Sequence, residues 1–327
     1  MGNQKTALII GANGQDASYL AELLTSKDYK IFGTIRRNSV PESQTTRIQK
    51  LHKENKISLL YADLLDRSSI DLAIKNTQPD EIYHLAAQSH VKISFDLPKY
   101  TIDVNCGGTI NVLESMRINA PEAKLYNAAS SEMFGNSIDQ DGFQRITTPM
   151  IPVSPYGCSK LFAHNLCHNY RNAYNLFITS GVLFNHESPR RGINFVTNKI
   201  VYGAVKIKNG LSDCISLGNL NAYRDWGHAK DYVKAMWLML QENNPKDYVI
   251  ATGVTNSVKY VLEYVFNALG LDYHRYLKLD PRYERAEELN LLKGDASQAI
   301  DELKWNRQYT LEQTLDDMMK SAQNEYR

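Results

Sequence analysis

Short apolar segments alternate with segments of helical spacing along the first part of the chain. The apolar segments are typical of buried strands and cover residues 6–10, 30–35, 57–61, 80–85, 124–129 and 176–184. Helical spacing separates them, as in residues 16–27, 67–76 and 155–174. Because strand–helix–strand units cross over in one hand, this order predicts a doubly wound parallel α/β sheet that binds ligands at the carboxyl ends of its strands.

The rhythm changes after residue 184 into shorter, mixed elements. Four further helices are predicted, near 196–209, 228–242, 257–269 and 310–325. We therefore expect a cofactor-binding domain over residues 1–184 and a smaller mixed α/β part over residues 185–327. This second part should cover the site, bind the substrate and return some elements to the sheet.

A glycine-containing turn follows the first predicted strand and opens the first predicted helix. It reads Gly11-Ala12-Asn13-Gly14-Gln15-Asp16. Glycines let the backbone turn tightly and approach a pyrophosphate, which the partial positive charge at a helix N-terminus stabilises. In this context the turn predicts a dinucleotide site of the Rossmann type.

Two arginines follow the second predicted strand, where an NAD site more often has an acidic residue for the ribose hydroxyls. Arg36 and Arg37 instead suit a 2′-phosphate, through charge-assisted hydrogen bonds. NADP is therefore favoured over NAD. Strands three and four should bring two more segments near the adenine and the pyrophosphate, Asp63-Leu64 and His84-Leu85-Ala86-Ala87-Gln88-Ser89.

Tyr156 and Lys160 lie four residues apart at the start of the helix predicted over 155–174, after a Ser-Pro entry. They share one face of that helix. A tyrosine of pKa about 10 acts as a base at neutral pH only if a nearby cation favours the phenolate, and Lys160 could supply that charge. The alternative is a chance surface pair, which the preceding βα units and the dinucleotide turn disfavour.

The fifth predicted strand runs into Ser130, Ser131 and Glu132, which puts two hydroxyls and a carboxylate at the same end of the sheet. A plain dehydrogenase needs no such carboxylate. Proton abstraction beside a carbonyl, followed by loss of water, does need an acid/base group. Helix capping is the alternative role for these three residues.

Longer segments add a resemblance to a known family. They are NHESPRRG at 185–192, FVTNKI at 195–200 and YRDWGHAKDY at 223–232. Together with the features above, they resemble the extended short-chain dehydrogenase/reductases and, among these, the GDP-mannose 4,6-dehydratases, over nearly the whole chain. The resemblance implies a lyase that converts GDP-mannose to GDP-4-keto-6-deoxymannose and water by internal hydride transfer through bound NADP.

The resemblance also implies the roles of individual residues. The catalytic residues would be Ser130, Glu132, Tyr156 and Lys160. The cofactor would contact Gly11, Asn13, Gly14, Gln15, Asp16, Arg36, Ser39, Asp63, Leu64, Leu85, Ala86, Ala87, Ser89, Tyr100, Tyr156, Lys160, His186 and Arg191. The substrate would contact Ser89, Glu132, Asn185, Val196, Lys199, Leu217, Arg224, Arg282 and Glu288. Tyr156 would take the sugar 4-hydroxyl proton, Ser130 would hydrogen-bond at C4, and Glu132 would take the C5 proton.

Charge and composition limit the other partners. Lys and Arg number 37 against 36 for Asp and Glu, so neither nucleic acid nor a membrane surface is expected to bind. The N-terminal apolar run is too short for a signal peptide or a membrane span, which predicts a cytoplasmic protein.

The four cysteines lack metal-ligand spacing, so we expect buried free thiols and no metal. The resemblance implies a homo-oligomer, a tetramer or a dimer, in which the segment containing Arg36, Ser39 and Arg47 reaches a neighbouring subunit.

Three other functions stay open. The protein could be a dehydratase or epimerase of another nucleotide sugar, such as dTDP-glucose or UDP-glucose, although glucose dehydratases typically have Asp-Glu where this chain has Ser131-Glu132. It could be a reductase of a 4-keto-6-deoxy nucleotide sugar, which would not need Glu132. From a different class, it could be a non-catalytic NADP-binding regulator, which would not need the four catalytic candidates together.

Overall fold

The computed structural model describes residues 4–37, 45–283 and 287–326. In chain order its strands and helices are β1 (Thr6–Ile10), α1 (Gln15–Ser26), β2 (Lys30–Ile35), α2 (Gln49–Lys53), β3 (Ser58–Tyr61), α3 (Arg67–Thr77), β4 (Glu81–His84), α4 (Val91–Asp96), α5 (Pro98–Ile102), α6 (Gly108–Asn119), β5 (Lys124–Ser130), α7 (Pro155–Tyr174), β6 (Ile178–Leu183), β7 (Asn185–Glu187), α8 (Val196–Lys208), β8 (Ile215–Leu217), β9 (Tyr223–His228), α9 (Ala229–Gln241), β10 (Tyr248–Ile250), β11 (Thr255–Ser257), α10 (Val258–Ala268), β12 (Leu277–Leu279), β13 (Leu291–Leu292), α11 (Ser297–Leu303) and α12 (Leu311–Glu325). A π-helical turn, Asp103–Gly107, joins α5 to α6.

Seven parallel strands form the central sheet, in the order β3-β2-β1-β4-β5-β6-β10. The first three strands extend the sheet to one side of β1, and the later strands extend it to the other side, beginning with β4. The gap between β1 and β4 is therefore the switch point where doubly wound sheets bind their ligands. The predicted α/β class and the six predicted strands are therefore confirmed. The seventh strand, β10, comes from the second half of the chain and returns to the sheet edge beside β6.

Both faces of the sheet are covered, which explains why its strands are apolar runs rather than alternating ones. On one face, α1 and α9 pack over a core that includes Ile9. On the other face, α3, α6 and α7 pack over a core that includes Leu8. Adjacent residues of β1 thus enter different cores, and neither has any exposed surface.

The second half builds a smaller unit beyond the carboxyl end of β6. Three helices, α8, α10 and α12, pack around a third core. A small sheet joins β9 to β7, β11 and β13, and a separate pair joins β8 to β12. The four predicted helices are confirmed. The strands were not predicted one by one, because segments of two or three residues carry too little periodicity.

The prediction of buried cysteines is only partly correct. All four are free thiols, and Cys106 and Cys167 are buried. Cys158 is exposed because it lies on the outer side of α7, while Tyr156 and Lys160 on the same helix face the interior. Within the described ranges, no group of His, Cys, Asp or Glu is arranged to hold a metal ion. In the same ranges, no helix is both long and apolar enough to cross a membrane.

Candidate active site

The glycine turn has the geometry of a phosphate site. Gly11 has a φ of +92°, and a Cβ there would lie 2.8 Å from the Cα of Ala86, so only glycine fits. The helix α1 begins after Gly14, and no side chain caps its first turn. At Gly14 a Cβ would have no neighbour nearer than 3.4 Å. The uncapped N–H groups and the open approach fit a pyrophosphate.

The end of β2 brings two of the expected cofactor residues together. An Arg36 guanidinium N–H donates to the Tyr100 hydroxyl over 2.5 Å. Ser39 lies outside the described residues. Arg47, expected near a neighbouring subunit, bonds within its own chain: its guanidinium donates to the carbonyls of Asn13 (3.1 Å) and Arg190 (2.9 Å).

The segments after β3 and β4 differ in how they meet the site. Ser89 is exposed, and Ala86 packs directly on the glycine turn. Asp63 caps its own turn by accepting from the Leu65 N–H. The Leu64 side chain is buried in the core against α6, and its carbonyl accepts from Asn111. Any role of Leu64 toward a cofactor would therefore rest on its backbone N–H.

The start of α7 places the Tyr/Lys pair at the carboxyl end of the sheet. Ser154 caps the helix by accepting from the Gly157 N–H, and Pro155 occupies its first turn, as the Ser-Pro entry predicted. Tyr156 and Lys160 are each only 8% exposed. The Lys160 ammonium donates to the Ala128 carbonyl over 2.8 Å and lies 6.0 Å from the Tyr156 ring centroid.

Ser130 and Glu132 lie against the same phenol. The Ser130 hydroxyl is near enough to Tyr156 to lower the pKa of the phenol, and its oxygen accepts from the Glu132 N–H over 3.3 Å. The capping role considered from sequence is therefore present, and it does not exclude a chemical one. Glu132 is buried and near enough that its charge acts on Tyr156.

Electrostatics keep the phenol protonated in this structure. Burial raises the pKa of Tyr156 to about 12; the nearby Ser130 hydroxyl opposes this rise and the Glu132 charge adds to it. Burial also lowers the pKa of Lys160 to about 8. The sequence suggested that Lys160 favours the phenolate, but here burial dominates, so forming the phenolate requires further positive charge at the site.

Strand β7 and the residues after it supply a second group of polar side chains. His186 is buried between Asp16, 2.9 Å from its Nε2, and the Phe184 carbonyl, 2.8 Å from its Nδ1. The Arg191 guanidinium lies 3.1 Å from the buried Glu187 carboxylate. The cofactor residues predicted in NHESPRRG are thus held by other protein groups.

The predicted substrate residues are spread from the interior to the surface. Arg224, 5% exposed, lies 3.1 Å from Glu288 and donates to the Leu289 carbonyl. The Arg282 side chain is 88% exposed and pairs with Asp280 over 2.8 Å. The Lys199 ammonium lies 3.2 Å from the Tyr283 ring centroid. Three further predicted residues lie at the ends of elements: Leu217 is buried and ends β8, Val196 begins α8, and Asn185 begins β7.

Comparison with known proteins decides the family. A family model described as GDP-mannose 4,6 dehydratase matches residues 8–318. The chain belongs to the GDP-mannose 4,6-dehydratase family. It is 48% identical to GDP-mannose 4,6 dehydratase 2 of Arabidopsis thaliana, over 97% of this chain and 86% of that protein. It is 44% identical to GDP-mannose 4,6 dehydratase of Drosophila melanogaster, with the same coverage of both chains.

Solved structures support the fold. The UDP-glucose 4-epimerase of Thermus thermophilus, in complex with NAD, superposes with a TM-score of 0.85 at 21% identity, covering 97% of this chain and 98% of that one. RMD from Pseudomonas aeruginosa, complexed with NADPH, has a TM-score of 0.80 at 19% identity, with 98% of each chain covered. At such identities the likeness concerns the architecture alone.

Several residues of this family member bear on the site but were not singled out from sequence. The Ser94 hydroxyl accepts from the Tyr156 N–H over 3.1 Å. Thr197 donates to Glu187, which is the partner of Arg191. Only the Glu187 contact carried a local signal, because it lies four residues before Arg191; the Ser94 contact spans 62 residues.

Proposed function

We propose that the protein is a GDP-mannose 4,6-dehydratase that forms GDP-4-keto-6-deoxymannose and water with NADP as its cofactor. The observation that carries the chemistry is the buried Glu132 carboxylate beside the Tyr156 phenol. A dehydrogenase or reductase needs the phenol but not the carboxylate, whereas elimination of water needs both. The names of relatives 44% to 48% identical over 97% of the chain support the substrate.

The first step in this proposal is removal of the proton from the sugar 4-hydroxyl. Tyr156 is the base, and the Ser130 hydroxyl, which is near enough to the phenol to lower its pKa, orients the same sugar oxygen. A bound NADP would supply an acceptor for the C4 hydride, a donor of that hydride to C6, and a positive charge beside the phenol. Lys160, buried and fixed on Ala128, supplies a second positive charge on the same side.

The second step is elimination. The 4-ketone acidifies the proton on C5, and Glu132 accepts it. The C5–H electron pair forms the C5–C6 double bond as the C6–O bond breaks, and Glu132 returns its proton to the departing 6-hydroxyl, which leaves as water. When the hydride adds to C6, C5 takes up one proton, which balances the proton that Tyr156 took from the 4-hydroxyl. Burial of Glu132 keeps bulk water from competing for that proton.

The choice of NADP over NAD rests on the end of β2. Arg36 and Arg37 stand there, and the hydrogen bond from Arg36 to the Tyr100 hydroxyl holds that guanidinium over the end of the strand. The structural neighbours bind either NAD or NADPH, which supports a nicotinamide cofactor in general. Calorimetric titration with each dinucleotide tests the choice: we expect NADP to bind at least about tenfold more tightly, because a bidentate guanidinium–phosphate contact is lost with NAD.

The diphosphate of the substrate would be bound by cations of the second half. Arg224 on β9 and Lys199 on α8 are the candidates, with Arg282 at the exposed rim. Arg224 is held by Glu288 and the Leu289 carbonyl. A bound diphosphate would therefore share the guanidinium with these groups or replace them.

We also propose a homo-oligomer, a tetramer or a dimer. Exposed apolar side chains lie on or beside α5, α6 and α7, of which α5 and α6 each pack against α7: Leu97, Ile102, Ile110 and Phe162. Light scattering on the purified protein measures the mass directly. The cytoplasmic location stays a prediction, which fractionation of the producing cells would test.

The decisive experiment offers the purified protein GDP-mannose, dTDP-glucose and UDP-glucose separately, with NADP, and follows each by mass spectrometry. Loss of one water from GDP-mannose alone is the expected result. Loss of water from another nucleotide sugar instead would leave the chemistry standing and overturn the substrate. If no substrate loses water, a reductase or a binding protein replaces the dehydratase.

A further inference from the structure

Asp16 and His186 are 170 residues apart in sequence and joined by a hydrogen bond at the centre of the cofactor region. Asp16 lies in the first turn of α1, the helix that opens at the glycine turn, and His186 is the middle residue of β7. The ring has acceptors on both sides, the Asp16 carboxylate at Nε2 and the Phe184 carbonyl at Nδ1. With the carboxylate ionised, both ring nitrogens must donate, so the imidazole carries both protons.

Other contacts hold the same two segments together. The His186 ring stacks on Tyr232 of α9, with centroids 4.5 Å apart and planes at 26°. The Gln15 side chain donates to the His186 carbonyl over 3.2 Å, and the Ser188 hydroxyl donates to the Gln15 side-chain oxygen over 2.8 Å. The first turn of α1 is thereby bonded to β7 and the residue after it at three points.

We infer that Asp16 and His186 form a charged positioning pair, which holds the cofactor turn against β7 and thereby fixes the geometry of the NADP site. Both N–H groups of the His186 ring donate to protein acceptors, so the ring has no further N–H group to donate to the cofactor. The pair acts instead through the first turn of α1 and through the residues after β7, which include Arg191. This inference rests on the NADP site proposed above.

The pair also reaches the substrate side. The strand β7 runs parallel to β9, with His186 opposite Gly227. Arg224, the buried candidate for the diphosphate, lies on the same β9. Loosening β7 should therefore disturb cofactor binding first and substrate binding second.

Protonation makes the pair sensitive to pH. Burial opposes both charges, but the attraction between the two groups outweighs it: the pKa of Asp16 is lowered and the pKa of His186 is raised. The pair is thus complete below the ordinary histidine pKa of about 6.5 and is lost as the pH rises through the raised value. The titratable or charged groups facing it are Arg191, His228, Tyr232, Tyr126 and Tyr156.

The substitution Asp16→Asn removes the charge of this side chain and keeps its shape. The Asn side chain has the same size, and its amide can donate to the unprotonated Nε2, so the contact survives without its charge. We would measure the NADP dissociation constant by calorimetry between pH 6 and pH 9. We expect the fall in NADP affinity as the pH rises to be about tenfold larger in the unmodified protein than in D16N, the scale of one charge-assisted bond. Lys160, with its pKa of about 8, titrates in both proteins and cancels in the comparison. The 2′-phosphate of NADP titrates equally in both proteins, so it cancels in the comparison.

His186→Phe removes both hydrogen bonds but keeps a ring to stack on Tyr232. We expect about tenfold weaker NADP binding than in the unmodified protein at pH 6.5, and no dependence on pH beyond that shown by D16N. Asp28→Asn, just beyond the far end of α1, and His168→Gln, on the exposed side of α7, are the controls and should follow the unmodified protein. If circular dichroism shows that H186F does not fold, the nearly isosteric D16N still tests the charged pair.

The outcomes are distinct. An equal pH dependence in D16N and in the unmodified protein would overturn the charged pair, while normal turnover of GDP-mannose by the unmodified protein would leave the proposed function standing. Absence of NADP binding by the unmodified protein at every pH would overturn the proposed cofactor and the pair with it. The pair is supported if NADP affinity falls about tenfold more with rising pH in the unmodified protein and in D28N than it does in D16N.

Discussion

The proposed reacting end of the site and its proposed nucleotide end are built in different ways. At the proposed reacting end, Tyr156, Lys160 and Glu132 are all buried; the Ala128 carbonyl of β5 accepts from the Lys160 ammonium, and the Ser94 hydroxyl of α4 accepts from the Tyr156 N–H. At the nucleotide end, charged side chains bind each other, from the buried Arg224 with Glu288 to the exposed Arg282 with Asp280. The first arrangement is preorganised for charge that develops in the transition state, whereas the second must exchange partners when a substrate binds.

This contrast predicts that changes at the reacting end lower kcat, while changes at the nucleotide end raise KM. The largest effect is expected for Tyr156→Phe. Loss of the base for the 4-hydroxyl proton should lower kcat by about a thousandfold, with NADP affinity nearly unchanged. Steady-state turnover of GDP-mannose and calorimetry with NADP measure the two quantities. Turnover within about tenfold of the unmodified protein would remove Tyr156 from the mechanism.

Glu132→Gln should lower kcat by about a hundredfold or more, because the amide can neither accept the C5 proton nor protonate the leaving hydroxyl. Hydride transfer from C4 should survive, so the reduced cofactor should accumulate and absorb in the near ultraviolet. Stopped-flow absorbance detects it. If dehydration proceeds normally in E132Q, another group is the acid/base.

Arg224→Gln tests the buried cation of the nucleotide end. We expect KM for GDP-mannose to rise by about ten- to a hundredfold, the scale of hydrogen bonds to a charged group, with kcat changed far less. Thermal unfolding must be recorded in parallel, since the change leaves Glu288 without this partner. A fall in kcat larger than the rise in KM would contradict the division between the two ends.

Arg282→Gln is the matched surface variant and should have the smallest effect. Its guanidinium is almost fully exposed, and solvent screens it, so KM should rise by only about two- to fivefold. That small effect should also disappear at high salt. An effect as large as that of R224Q would mean that the segment around Arg282 closes over the nucleotide on binding, so that solvent no longer screens the guanidinium.

Much of the fold and part of the site could be predicted from local patterns. Apolar runs separated by helical spacing predicted six of the seven sheet strands, because strands buried on both faces carry an unbroken signal. The Ser-Pro entry placed Tyr156 and Lys160 in the first turns of α7, since capping acts within a few residues. The two-residue β13 and the exposed Cys158 show where local patterns stop, because short segments and single positions carry no period.

What the sequence by itself determined is the order of the elements, the glycine turn and the residue types that carry the chemistry. The tertiary structure alone decided which of these residues touch. It paired Asp16 with His186 and Arg224 with Glu288, and it turned the Leu64 side chain into the core. The physical reason is range: capping and periodicity act over a few residues, whereas these contacts join segments that only the packing of α1, β7 and β9 around the sheet brings together.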